Sequence, residues 1–380
     1  MSKILKSLQI TTQSASPSTP GTGTVAVFAS GSSIYFKNSS GTVYDIAATN
    51  AYINVLSYTG STDGTTAIYS WSKPPTLKYL DICCVGAGGG GASGRITNSN
   101  NQVGSSGGGG GAIVWQSIEA ARLTASPYTI TVGAGGTPGA ARITNGSAQT
   151  GLVGTNGGNT SFGTLVVATG GQGGQIVINA TTGYNVATGG RLEECTPSLG
   201  PWGLQGNTSG WDTTGGTPIA PRAVFNLGFS PPIFSNAVAN VSSSWGNGAA
   251  GGGAGASRTT IITTGTSGST ITGFTNGGAP GISNATGPGT AGSNGVSNQI
   301  SNRLLRYSGS TTLTSYGLGT GGGGGGGGIT AGANGGAGGY YGAGGGGGGV
   351  LFGLGSVLVP SSSGAGGSGS SGLCILIEYY

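Results

Sequence analysis

The chain has 380 residues, of which 88 are Gly and only 21 are charged, with a formal net charge of +5 and no His. Ordinary domains carry about 25% charged residues and about 7% Gly, so both figures are far outside the globular norm. The absence of His excludes a Ser-His-Asp or Cys-His catalytic system, and singly scattered Lys and Arg do not form the basic face of a nucleic-acid binder.

Gly and Pro at this abundance suggest disorder, but disorder comes with few apolar residues and high net charge. Here 35% of residues are hydrophobic, so the chain is read as folded. Its first residues, MSKILKSLQITTQS, lack the apolar core of a secretory signal. No stretch reaches the roughly 20 apolar residues of a membrane-spanning helix. The expectation is therefore assembly in a cytoplasm, with Cys83, Cys84, Cys195 and Cys374 as thiols rather than a disulfide framework. No C-x-x-C pair occurs, so a structural zinc site is not expected.

In chain order, a Ser/Thr/Pro-rich opening leads to VAVFA (25–29), SIYFKN (33–38) and TVYDI (42–46), separated by short turns. Branched and aromatic residues between Gly/Ser turns predict a small β-meander over residues 1–50, too small to be stable alone. From residue 51 a large glycine-rich domain begins. Strand-like runs are expected at 77–85, 112–118, 128–132, 164–168 and 373–380, each beside a glycine block. SIEAARL (117–123) offers at most two helical turns. The fold class is therefore mainly β with essentially no α-helix.

After the strand at 77–85 comes Gly86-Ala87-Gly88-Gly89-Gly90-Gly91, which satisfies the G-x-G-x-x-G spelling of a dinucleotide-binding turn. That site needs a helix immediately afterwards to receive the pyrophosphate. Instead ASGRITNSNNQVGSS follows, and the next acidic residue is Glu119. No cofactor is expected. Three readings of the glycine remain: flexible linkers, a glycine-laced β-sandwich, or, favoured, a bundle of polyglycine-II helices. Such helices repeat every three residues, rise about 3.1 Å per residue and have no internal hydrogen bonds. Their backbone groups point outward, and only Gly lets neighbours approach on every side.

The stretch from about 175 to 247 interrupts this pattern with Trp202, Trp211, Trp245, Tyr184, Phe225, Phe229 and Phe234. A glycine lattice has no side chains for recognition, and binding usually falls in loops on a rigid scaffold. Trp202, Trp211 and Arg222 are the candidate receptor-binding residues, because aromatics and Arg dominate interface energy. The competing reading makes these aromatics a satellite core that packs the insert. Glu193 and Glu194 are adjacent and read as a solvated turn, and Cys83 and Cys84 as strand residues on opposite faces. Trp71 reads as a strand-end core residue. No enzyme is expected.

Four stretches carry a resemblance. Trp71 with Pro74 and Pro75 precedes LKYLDICCVGAGGGG; then come YTITVGAGG, GGNTSFGTLVVATGGQGG (157–174) and the closing GAGGSGSSGLCILIEYY. In this order they resemble the glycine-rich domain of bacteriophage tail fibres and adhesins, over about residues 55–380. TGTVAVFASGSSIYFKNSSGTVYDI is similar to segments of phage fibre proteins. The aromatic insert is longer than that pattern requires. The resemblance implies a virion protein, assembled in the host cytoplasm and commonly homotrimeric. It would attach to other virion proteins through residues 1–50 and contact a host-surface glycan or protein. Alternatives are a non-adhesive capsid, collar or neck fibre, a cellular surface filament, or an ice-binding protein.

Overall fold

The computed structural model describes residues 16–30, 33–45, 53–60, 64–97, 105–124, 126–143, 147–176, 202–204, 210–211, 218–219, 277–297, 319–352 and 361–380, with 252, 255, 265, 267 and 268 singly. The chain divides into two compact units, Met1–Asn54 with Glu378–Tyr380, and Val55–Ile377. The architecture is mainly β. Among the described residues the helical structure is one 3-10 turn, Ala120–Arg122, so the expected turns at SIEAARL reduce to that turn after a strand.

In the first unit β1 (Ala26–Ser30), β2 (Ser33–Lys37) and β3 (Val43–Asp45) form an antiparallel meander in the order β1-β2-β3. Phe28 opposes Tyr35 across β1 and β2, and their rings stack at 5.4 Å. Asn38 organises the second turn, its Oδ1 accepting from the Ser40 and Thr42 amides, and Gly41 sits at φ 87°. Phe28 and Ala29 are buried, while Val25, Val27 and Val43 are exposed.

The second unit begins as a sandwich. One sheet orders β11-β10-β9-β5, built from β5 (Ala67–Trp71), β9 (Tyr128–Val132), β10 (Thr160–Phe162) and β11 (Val166–Ala168). The other orders β12-β8-β6-β16-β4, with β4 (Ile53–Thr59), β6 (Tyr79–Val85), β8 (Ile113–Glu119), β12 (Trp202–Leu204) and β16 (Leu373–Tyr379). Period-two alternation sends Leu80, Ile82 and Cys84 of β6 into one core with Val114, Ile118, Ile130, Val132, Phe162 and Leu376. Trp71 is in this core as expected, 5.5 Å from the Phe162 ring, which stacks on Tyr128 at 4.9 Å. The opposite face of the five-stranded sheet is also buried at Cys83, Val85, Ile113, Trp115 and Ile375. Both β6 cysteines are thus fully buried packing residues, and Cys84 Sγ lies 3.8 Å from Cys374 Sγ. Burial, then the neighbouring Cys84, pushes the Cys83 thiol far up; the hydrogen bond with Cys374, then burial, raises Cys84. Cys195 lies outside the described residues.

Six sandwich strands continue directly into glycine-rich runs. Residues 86–94 extend β6, 133–142 extend β9 and 169–176 extend β11, while 105–112, 151–159 and 361–372 lead back into β8, β10 and β16. These runs carry backbone hydrogen bonds that repeat every three residues. In the run 86–94, Gly86, Gly89 and Ala92 donate to Ala112, Gly109 and Ser106; Ala87, Gly90 and Ser93 donate to Gly158, Thr155 and Leu152; Gly88, Gly91 and Gly94 donate to Ser370, Gly367 and Gly364. Its carbonyls accept from Gly136 and Gly139, from Gly171 and Gly174, and from Gly345 and Gly348. One run therefore bonds six neighbours, with acceptor chains antiparallel and donor chains parallel. A polyproline-II-type helix also repeats every three residues. Close approach demands glycine at such a position: a Cβ on Gly91 would lie 2.0 Å from the Gly346 carbonyl oxygen.

The same bonds arrange the runs in three rows. The middle row is 151–159, 86–94, 342–350, 319–328 and 277–284; on one side lie 133–142, 361–372, 331–339 and 289–297. On the other side lie 169–176 and 105–112, with residues 252, 255, 265 and 268. The non-glycine residues complete the bonding. Ser93 donates its amide to the Leu152 carbonyl while its Oγ accepts from the Leu152 amide at 2.7 Å. Thr155, Thr290, Thr320, Ser363 and Ser370 clamp Thr137, Ile282, Val296, Arg142 and Ala343 in the same way. Neighbouring N–H groups that would otherwise lack a partner are satisfied by these side chains, as buried backbone requires.

Candidate binding surface

Because the runs leave the sandwich side by side, the chain reversals opposite it are brought to one end of the lattice. There Ile96, in β7 (Ile96–Thr97), pairs in parallel with Leu351 of β15 (Leu351–Phe352) and antiparallel with Gln149. Gly328 bridges Leu351 on one side and Asn284 on the other, and Ile143 bridges Ser362. Beneath this cross-paired layer Ile96, Val350, Leu351 and Phe352 are fully buried. An apolar plug thus fixes the end of a lattice that otherwise has no side-chain core.

Above the plug the surface is apolar and cationic. Ile143 and Ile282 are each 65% exposed, with Val153 and Ile329 also exposed. Arg142 Nε donates to the Thr150 carbonyl at 3.0 Å, and Gln149 Nε2 donates to the Ile143 carbonyl at 2.9 Å, closing this loop on itself. The Ser363 clamp on Arg142 ties the same loop to the run 361–372. Asn284 Oδ1 accepts from the amide and hydroxyl of Thr286, shaping the reversal at 284–289. Arg95 lies just inside, its guanidinium pKa lowered by burial. Among the described residues of the second unit the carboxylates are Asp81 and Glu119, both in sandwich strands, so the described residues of that unit at this end include Arg142 and no carboxylate. No group of three metal-ligating side chains occurs among the described residues. The arrangement offers apolar contact and charge-assisted hydrogen bonding.

A glycine-rich domain model matches residues 61–380. The chain belongs to the glycine-rich domain family. No curated protein matches it. In this glycine-rich domain the match opens just before β5 and closes with β16, so it takes in both the sandwich and the lattice. No described helix is long and apolar enough to cross a membrane.

Of the three residues singled out in the sequence, Trp202 and Trp211 are described. Trp202 opens β12, which pairs antiparallel with β8 so that Trp202 opposes Trp115 and Leu204 opposes Ile113. Trp211 lies in a separate ribbon of β13 (Gly210–Trp211) and β14 (Pro218–Ile219), opposite Pro218. Arg222 lies outside the described residues, so nothing described joins the three into one site. Sequence reasoning missed Ile143, Ile282 and Ile329. The local signal was partial: each is a large apolar residue standing alone in a glycine-rich stretch, but nothing in the sequence brings them to one end.

Proposed function

We propose that this glycine-rich domain protein is a bacteriophage virion component, a tail fibre or adhesin, whose loop end contacts the host surface. The supporting observation is the gathering of chain reversals, with Ile143, Ile282 and Arg142 among them, at the lattice end opposite the sandwich. The runs are read as polyglycine-II helices, a scaffold stiff enough to present loops and too poor in side chains to recognise anything itself. The order of motifs from Trp71 to the closing strand, which resembles phage fibre domains, supports the virion setting. The exposed Val25, Val27 and Val43 of the meander support attachment and self-association through residues 1–50, with a homotrimer as the expected assembly. The partner is a host-surface glycan or protein, and Trp202, Trp211 and Arg222 of the insert are secondary candidates for contacting it.

The test uses intact particles and the strain that propagates them. Particles carrying Ile143→Asp with Ile282→Asp should adsorb at least tenfold more slowly, since interface hot spots cost about 2 kcal/mol or more, with unchanged melting. Trp202→Ala and Trp211→Ala separate the two surfaces. Normal adsorption of the Ile143/Ile282 variant overturns the loop-end reading, and adsorption lost only in the Trp variants assigns recognition to the insert. Labelling of the protein on a collar or capsid, with adsorption unaffected by any variant, favours a non-adhesive decoration protein. A monomer mass in sedimentation rejects the homotrimer.

A further inference from the structure

Asn-Gly is the sequence most prone to self-modification. The glycine amide nitrogen attacks the asparagine Cγ, forming a C–N bond, and the Cγ–Nδ2 bond breaks to release ammonia while the glycine amide proton passes to water. The resulting succinimide takes up water to give aspartate or isoaspartate. Glycine favours the attack because no side chain obstructs the approach and the backbone turns freely. Three such pairs stand on the described lattice, at Asn156 and Gly157, Asn294 and Gly295, and Asn334 and Gly335, and all three asparagines are exposed to water.

Each pair is held by a neighbouring run. Gly295 donates its amide to the Ala337 carbonyl at 2.8 Å, while Asn294 Oδ1 accepts from the Ala337 amide at 2.9 Å. Gly335 and Asn334 grip Ala365 likewise, at 3.0 Å and 2.9 Å. Gly157 donates to Gly171 at 2.8 Å, and Asn156 Oδ1 accepts from the Gly173 amide at 2.8 Å. The attacking nitrogen and the carboxamide it must reach are thus both fastened to the same neighbouring run. The proton that must leave is committed to a neighbour's carbonyl.

We propose that the three Asn-Gly pairs are dormant deamidation sites, kept unreacted by these two-bond clamps and released only when the runs separate. A chain with almost no side-chain chemistry would otherwise carry reactive positions on its water-facing edge. With each hydrogen bond contributing its usual net stabilisation, opening both bonds of a clamp should slow the reaction about thirtyfold relative to the unfolded chain.

The experiment compares full-length protein, folded and in denaturant, during long incubation in mildly alkaline buffer, with peptide mapping of deamidation at Asn294 and Asn334. Ala365→Pro then removes the amide that Asn334 Oδ1 accepts and leaves the Ala365 carbonyl in place. Proline's fixed φ suits an extended helix of this type. Asn334 should react about fivefold faster, the effect of one bond, with Asn294 unchanged. Ala337→Pro should reverse the pattern. Equal rates in folded and unfolded wild type overturn the proposal. So does an Ala365→Pro protein with unaltered melting in which Asn334 is no faster, or in which both asparagines accelerate together. Should Ala365→Pro fail to fold, Ala337→Pro and the wild-type comparison decide the matter alone.

Discussion

At the sandwich end, Phe162 is fully buried against the Trp71 and Tyr128 rings, and its neighbours are side chains. At the lattice, Gly91 is equally buried, and its neighbours are backbone carbonyls of other runs. The first region is held by apolar area removed from water, which is non-directional and graded in strength. The second is held by directional backbone bonds that form only if several chains lie within van der Waals contact. A core of the first kind loses stability in proportion to what is deleted. A lattice of the second kind fails on what is added.

The largest expected effect breaks that contrast at Gly91. Gly91→Leu places a Cβ 2.0 Å from the Gly346 carbonyl oxygen, and backbone cannot yield as a side chain would. Cooperative melting should be lost and the protein should aggregate. Gly21→Ala, where a Cβ meets nothing within 4 Å, should shift stability by no more than about 0.5 kcal/mol. A Gly91→Leu protein with wild-type melting refutes the close-packed lattice. Next in size is Phe162→Ala, which deletes a fully buried ring and should cost about 3–5 kcal/mol in chemical denaturation, leaving a folded protein. Ser93→Ala sharpens the comparison within the lattice. It deletes no packing to speak of but strands the Leu152 amide, and should cost about 1–3 kcal/mol.

The smallest effect at neutral pH belongs to the buried thiols. Their pKa values are raised in the fold, so below the unfolded value of about 8.5 both states are neutral and no stability is lost. Above it the unfolded chain ionises while Cys83 and Cys84 stay protonated, so stability falls by up to about 1.4 kcal/mol per pH unit for each thiol. Urea midpoints measured through the alkaline range should fall, and Cys83→Ala should make the fall shallower.

What could be read from the residues divides along the same line. LDICCV, AIVWQSI, YTITV and LCILIEY announce strands because their apolar and branched residues follow ordinary strand preferences, and β9 matches its expected bounds, Tyr128–Val132. Trp71 was legible as core for the same reason. β4 and β10 were not, since INVLSYT and TSF are half polar and gain their strand character from partners far away in the chain. In the lattice the serines, threonines and asparagines look like turn residues. Nothing local shows that Ser93 clamps Leu152 or Asn334 clamps Ala365, because the partner is fixed by which runs become neighbours. The candidate surface was missed on similar grounds. The aromatic insert stands out in composition, whereas Ile143 and Ile282 become adjacent to other reversals only once the row order is known.

The run 86–94 is hydrogen-bonded to residues 106–112, 136–139, 152–158 and 171–174, but also to 345–348 and 364–370. During synthesis its last neighbours emerge more than two hundred residues after it does. No early portion of the chain can therefore complete the centre of the lattice, and β6 itself waits for β16 to lie beside it. Such distant pairings make folding slow and leave intermediates with exposed sheet edges. Until the runs 342–350 and 361–372 have been made, the run 86–94 lacks two of its six bonding neighbours, and that is the period in which a chaperone would matter most.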